Sequence, residues 1–264
     1  MYEFYEKFYG TDLLIAVAIF VPLEVLFAAR PQKVLRRGML TDLLFVVCNV
    51  WIALAGLFVC LGVGIVLLGW MIPAGLKNQI GSLPFWAQLS LAILIADLGI
   101  YWTHRLLHVV PLLWRFHAVH HAVEELDWIA AVHQHPIDLI FLKAGSILPL
   151  VLLGVSAEAI AAYGLIFFWQ SFLDHANVRF NFGPLKYVIV SPEFHHWHHS
   201  REQQARDRNF AGTFAFYDIL FGSVYLPKSK KPKLFGIDHP MPRGYFSLLT
   251  HPFLAFRHAR RSRL

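Results

Sequence analysis

The chain has 264 residues, of which 57% are hydrophobic and only 15% charged, with a mean hydropathy of +0.51. Soluble domains carry roughly 25% charged residues, so the composition argues against an ordinary water-soluble fold and for a membrane protein with one polar lobe. The formal charge of +6 and the pI near 9.4 come from basic residues beside apolar runs, which points to a membrane surface and not to nucleic acid.

In chain order, the first apolar run covers about Leu13 to Ala29. It lacks a basic segment before it and a small-residue cleavage pattern after it, so it reads as a retained span and not a signal peptide. The second runs from Leu43 to Ile72, roughly 45 Å of helix against a hydrocarbon core of about 30 Å. It must tilt, protrude or break, with Gly62, Gly64 and Gly69 marking where. Cys48 and Cys60 lie in this run, roughly 18 Å apart on a helix, too far for a disulfide. A third span covers Phe85 to Trp102, and a polar stretch follows from Thr103 to His135. Another apolar stretch, Ile137 to Leu173, is interrupted near Gly154-Val155-Ser156. Each half is at the lower length limit for crossing, so it reads as two short spans or a hairpin. From Asp174 onward the chain is polar and aromatic.

Arg30, Lys33, Arg36 and Arg37 follow span one; Lys228, Lys230, Lys231, Lys233, Arg257, Arg260, Arg261 and Arg263 lie near the C-terminus; the other side has little beyond Lys7 and Lys77. By the positive-inside rule, the N-terminus faces out, while the segment after span three and the C-terminal lobe face the cytoplasm. An even number of crossings between Ile137 and Leu173 is then required, and Lys143 would snorkel toward the basic side.

Four groups of histidine fall on that cytoplasmic face. His104 and His108 are spaced i, i+4 on one side of a helix. His117, His120 and His121 follow the i, i+3, i+4 pattern, His175 stands alone, and His195, His198 and His199 repeat the pattern with His196 as an extra. Nine ligands are too many for one ion, so the pattern predicts two metals. Imidazole suits Zn, Cu, Fe and Ni alike, and no cysteine is placed for an iron–sulfur cluster or thiolate zinc site. Asp97 and Tyr101 share a helical stripe with His104 and His108, so Asp97 is a candidate to hydrogen-bond a ligand imidazole, with a backbone or lysine partner as the alternative. His133 and His135 lie close to the second cluster, and His135 either supports the site or serves a structural role before Pro136. Asp174, Asn177, Glu193, Asn209 and Asp218 read as structural residues able to orient ligands; His239, His251 and His258 read as surface or turn residues.

The order of these clusters resembles the fatty acid hydroxylase / sterol desaturase superfamily. Asp97-Leu-Gly-Ile-Tyr-Trp-Thr-His-Arg-Leu-Leu-His, His175-Ala-Asn-Val-Arg, Ser191-Pro-Glu-Phe-His-His-Trp-His-His-Ser, Asn209-Phe-Ala-Gly and Asp218-Ile-Leu-Phe-Gly-Ser are similar to its boxes and closing segment, over about Ser90 to Pro240. The resemblance implies a non-haem di-iron centre (zinc in a purified form is compatible), O2, and electrons from cytochrome b5, a ferredoxin or a reductase, for hydroxylation or desaturation of a membrane lipid. It implies His104, His108, His117, His120, His121, His175, His195, His198 and His199 as ligands. Some members carry another histidine where this chain has Ser171, which leaves one metal with a water, an open position, or a substitute from His196 or His135.

The expected architecture is therefore an all-α integral membrane bundle, with four spans or three plus a hairpin and a cytoplasmic histidine-rich helical cap. Residues 1–84 form N-terminal spans, 85–240 a hydroxylase-like catalytic domain and 241–264 a basic tail. The acyl or isoprenoid tail of the substrate would enter between spans two, three and the hairpin. A di-zinc lipid hydrolase is the main rival, but no His-Glu-x-x-His motif supplies its base. A haem carrier needs only one or two histidines, and a transporter would place polar groups at mid-membrane.

Overall fold

A computed structural model describes residues 2–228 and 230–261, with side chains described for 11–228 and 230–254. Among the described residues the chain is helical, with two isolated β-bridges and no strand. Lys7, Arg257, Arg260, Arg261 and Arg263, used above for topology, and His258 lie outside the described side chains.

Helices α1 (Tyr2–Leu26), α2 (Met39–Leu68), α4 (Phe85–Val109), α6 (Pro136–Leu152) and α7 (Ala157–His175) form the apolar body, with the short α3 (Ala74–Gly81) joining α2 to α4. Helices α5 (Pro111–His121), α8 (Pro192–His198) and α9 (Phe216–Leu220) belong to the polar lobe. The last helix, α10 (Tyr245–Arg261), falls in the segment expected to be a tail. Its Tyr245 and Leu248 are buried with Phe45 of α2 and Val119 of α5, and the Tyr245 hydroxyl donates to Asn49 Oδ1 at 3.0 Å.

Among the described residues two helices are long and apolar enough to cross a membrane: α2 with its terminal turn, Met39–Met71, at a mean hydropathy of 2.7, and α4 at 1.4. The outward face of α2 carries Val47, Phe58, Val66 and Trp70, each at least 65% exposed. Such a face has no place in water, and the chain is a membrane protein. The long second run does not break at Gly62 or Gly64; the α-helix continues to Leu68 and ends in a 3-10 turn, Gly69–Met71.

Glycines set how closely the body packs. A Cβ on Gly99 of α4 would lie 2.2 Å from the Gly145 carbonyl oxygen of α6, and a Cβ on Gly145 would lie 2.2 Å from Thr103 Cγ2. The backbones of α4 and α6 touch there, as small residues permit in membrane bundles. Gly56 and Gly64 let α2 close on Ile140 and Leu148 of α6 in the same way. Both α6 and α7 pack on α4. The turn between them depends on Gly154, at φ +79° and against the Lys77 backbone, and on Ser156, whose Oγ caps α7 at Ala159 N. Consequently α6 begins, and α7 ends, at the level of the histidines.

Candidate metal centre

The polar lobe folds the four histidine segments onto one another. His104 and His108 project from the end of α4, His117, His120 and His121 from α5, His175 from the end of α7, and His195 and His198 from α8, with His199 just beyond it. Their donor atoms form two sets, His104, His108, His117, His121 and His198 in one and His120, His175, His195 and His199 in the other, each within 4.8 Å mutually. The sets adjoin: the rings of His121 and His199 stack at 4.5 Å, and those of His120 and His199 stand 4.6 Å apart.

The boxes do not each serve one set. His117 and His121 join the first set while His120 joins the second; His195 and His199 join the second while His198 joins the first. Helix geometry explains the exchange. At about 100° per residue, positions i+3 and i+4 fall on either side of i, so an i, i+4 pair faces one centre and the i+3 ring turns to the other. The pair His104/His108 completes the first set, whereas the second has only His175, because Ser171 stands one turn before it.

Ring protons are placed by the partners of Nδ1. The Nδ1 of His104 donates to the Phe210 carbonyl at 2.8 Å, that of His120 to His133 O at 3.2 Å, that of His175 to Ser171 O at 2.8 Å and that of His198 to Arg208 O at 2.8 Å. His117 Nδ1 lies 3.1 Å from both carboxylate oxygens of Asp138, and His108 Nδ1 3.2 Å from Asp207 Oδ1. Carbonyl and carboxylate oxygens only accept, so these rings carry their proton on Nδ1 and a bare lone pair on Nε2. Yet His104 Nε2 lies 3.1 Å from His117 Nε2, and His120 Nε2 3.2 Å from His175 Nε2. No proton remains to sit between either pair. Burial also holds His117, His120, His121, His195, His198 and His199 well below the ordinary histidine pKa, so protonation does not relieve the contact. The Nε2 atoms of His108 and His198 are buried without a hydrogen-bond partner. Lone pairs about 3 Å apart match the edges of a polyhedron with metal–nitrogen bonds of about 2.1 Å. The residues fit two imidazole-bound cations.

Asp97 does not touch any of the nine clustered histidines. Its carboxylate accepts the backbone N–H groups of Gly212, Thr213 and Phe214 at 3.1, 2.8 and 2.6 Å, fixing the loop whose Phe210 carbonyl holds His104. Tyr101 braces that loop from the other side: its hydroxyl meets Ser223 Oγ at 2.8 Å, and Ser223 donates to Asp218, which accepts from Phe210 N and Ala211 N. Neither of the two suggested substitutes for the absent histidine reaches a set. His196 Nε2 donates to the Ala176 carbonyl at 3.0 Å, and His135 caps α6 through Nδ1 while its Nε2 meets Leu249 O.

Asn209 ties Phe194 O to Tyr225, Asn177 ties Arg30 to the lobe, Glu193 pairs with Lys186, and Asp174 accepts from Gln170. His133 is paired with Asp42, which also binds Arg36; Arg36 in turn binds Asp127. This buried network steadies the carbonyl that orients His120. His251 lies on α10, and His239 lines a polar cleft. Sequence reasoning missed Asp138, a buried carboxylate that does meet a clustered imidazole, as Asp207 does at the surface. Asp138 is an ionisable residue at the head of an apolar run, the same signal that drew attention to Asp97.

Two cavities meet the centre. One, of about 190 Å³, runs between α2, α4, α6 and α7, is walled mainly by apolar side chains such as Phe45, Val50, Leu142 and Phe168, and reaches His104, His117, His120, His175 and His195. The other, of about 300 Å³, is a polar cleft that, of the nine clustered histidines, reaches His108, His121 and His198. The first set thus faces both sides, and the second faces the apolar cavity alone.

Residues 89–223, about half of the chain, match the family model described as fatty acid hydroxylase. The chain is similar to the ornithine lipid hydroxylase OlsE of Rhizobium tropici, 34% identical over 170 residues that cover 64% of this chain and 51% of that protein. It is also similar to the alkylglycerol monooxygenases of Danio rerio (31% identical, 63% of this chain and 36% of the relative) and Xenopus tropicalis (30%, 57% and 33%). The chain thus spans about half the length of the first relative and about a third of the other two. No solved structure matches it. With its histidine boxes gathered as described, the chain belongs to the fatty acid hydroxylase family.

Proposed function

We propose that the protein hydroxylates a C–H bond of a membrane lipid with O2 at a di-iron centre, drawing electrons from a separate redox protein. The observation that carries this reading is the convergence of two imidazole sets on the wall of an apolar cavity. The relatives named above are a lipid hydroxylase and alkylglycerol monooxygenases, which favours hydroxylation over desaturation and a lipid over a soluble substrate.

His104, His108, His117, His121 and His198 would hold one ion and His120, His175, His195 and His199 the other. Bound there, two irons would supply O2 activation and the oxidising power for C–H cleavage. The rest is the work of the chain. Asp138, Asp207 and four backbone carbonyls keep the Nδ1 protons away from the centre and the Nε2 lone pairs toward it. The apolar walls exclude water and align a hydrocarbon chain against the imidazoles. The polar cleft gives the first set a route to water and protons.

The same reading places α1, α2, α4 and the α6–α7 hairpin in the bilayer, with the histidine layer at the cytoplasmic boundary and residues 85–240 as the catalytic unit. The hairpin helices, of 17 and 19 residues, reach about 26 and 28 Å, enough to enter and return.

The test is anaerobic purification with metal analysis, followed by lipid profiling of cells with and without the protein under 18O2. Two irons per chain and a lipid carrying 18O are expected. A new double bond without 18O would replace hydroxylation by desaturation. Zinc with no iron-dependent O2 uptake would refute the oxygenase.

A further inference from the structure

The lipid cavity contains polar groups the reaction does not use. Lys143 of α6 lines it. Among the described residues its ammonium has no hydrogen bond or ion pair. Tyr163 of α7 lines it too, 3% exposed, with its hydroxyl beside Ser146. Ser146 stands one turn from Lys143, gives its proton to the Lys143 carbonyl at 3.0 Å, and presents its Oγ lone pairs to the adjoining Tyr163 hydroxyl. Asp174, the one acid lining this cavity among the described residues, sits at the imidazole end beside His175, bound to Gln170.

A cation without an anionic partner therefore lines the same apolar space as the adjoining Ser146 and Tyr163 hydroxyls of two helices. An ammonium half-buried among apolar side chains without a counter-charge is costly. An occupant that is pure hydrocarbon would leave that cost standing; one carrying an anionic oxygen removes it and can also accept from the nearby hydroxyls.

We infer that Lys143 and Tyr163 form a subsite that binds an anionic oxygen, carboxylate or phosphate, of the lipid in the cavity. Asp138, which touches His117, and Lys143 are five residues apart on α6, and Ser146 is eight from Asp138, so the subsite lies about 7–12 Å along the helix from the imidazole layer. The carbon that reacts is then several methylenes away from the anionic group, not adjacent to it. This inference rests on the cavity being the lipid site.

The experiment uses the full chain in nanodiscs, loaded with redox-silent zinc so that no turnover intervenes. Hexadecanoate, hexadecyl phosphate and hexadecan-1-ol compete against a fluorescent chain bound in the cavity. Hydrogen bonds to charged groups predict that at least one anion displaces the probe roughly tenfold or more better than the alcohol. Preference for one anion identifies carboxylate or phosphate; equal preference identifies a general anion site. K143M should bring anion and alcohol to parity, K143R should retain the preference, and Y163F should reduce it. Zinc content of each variant certifies its fold. Equal displacement by alcohol and anions on the unmodified chain, or a preference that survives in K143M, overturns the subsite while leaving the lipid cavity in place. Failure of every chain to displace the probe overturns the lipid cavity and the subsite together.

Discussion

Replacing Asp138 by Asn tests the centre at the residue the sequence did not flag. Asp138 is fully buried and lies 3.1 Å through each oxygen from His117 Nδ1. Asn keeps the volume but removes the charge, and charge-assisted hydrogen bonds are about twice as strong as neutral ones. Loss of an outer partner of this kind lowers metal affinity by about 10–100-fold, equivalent to roughly 1.4–2.8 kcal/mol. Only the five-histidine set contains His117, so the effect should be unequal between the two ions. Titrating zinc-loaded protein with a chelator, D138N should begin to release metal at about 10–100-fold lower chelator strength, loss from the His117 set loosening the other. A release curve superimposable on that of the unmodified protein would show that Asp138 does not hold a ligand.

Asp97→Ala strands three backbone N–H groups, each costing about 1–3 kcal/mol when buried and unpaired; a clearly lowered melting temperature and weaker metal retention are expected, and an unchanged melt would refute the loop-anchoring role. Gly99→Ala drives a Cβ to 2.2 Å from a backbone oxygen of α6, so a loss of roughly 1–3 kcal/mol or more should appear in chemical denaturation, with neutrality counting against the close helix contact. For metal-free protein, the lobe histidines are held neutral with pKa values well below 6.5. The unfolded chain then binds more protons than the folded one as pH drops through 6.5, so stability is fully present above that pH and falls below it. Melting of chelated protein should be lower at pH 5.5 than at pH 7.5; equal midpoints would argue that these rings are not buried neutral.

Much of the centre was readable because helix periodicity is strict. An i, i+4 pair such as His104 and His108 must share a face, and eight histidines in such spacings with His175 beside them, in a chain poor in charge, mark a site. What the spacing could not reveal is the exchange of His120 and His198 between sets, since that depends on how α5 and α8 approach each other. The second of these partners lies 78 residues further along the chain, and no local pattern encodes their angle. Asp97 drew attention for a sound reason, an acid within an apolar helix, but its partners are N–H groups of a loop 115 to 117 residues away. The apolar runs gave the helices, while closeness such as that of Gly99 to Gly145 required the fold.

The exchange of histidines between the two boxes has a consequence for assembly. Each ion needs a pair from one box and a single ring from the other, so neither pocket is complete until α5 and α8 have docked. Filling the first pocket draws the two helices into register and thereby builds most of the second. Metal uptake should accordingly be cooperative, with protein carrying a single ion scarce at half saturation, and the polar lobe should gain its full rigidity in one step rather than two.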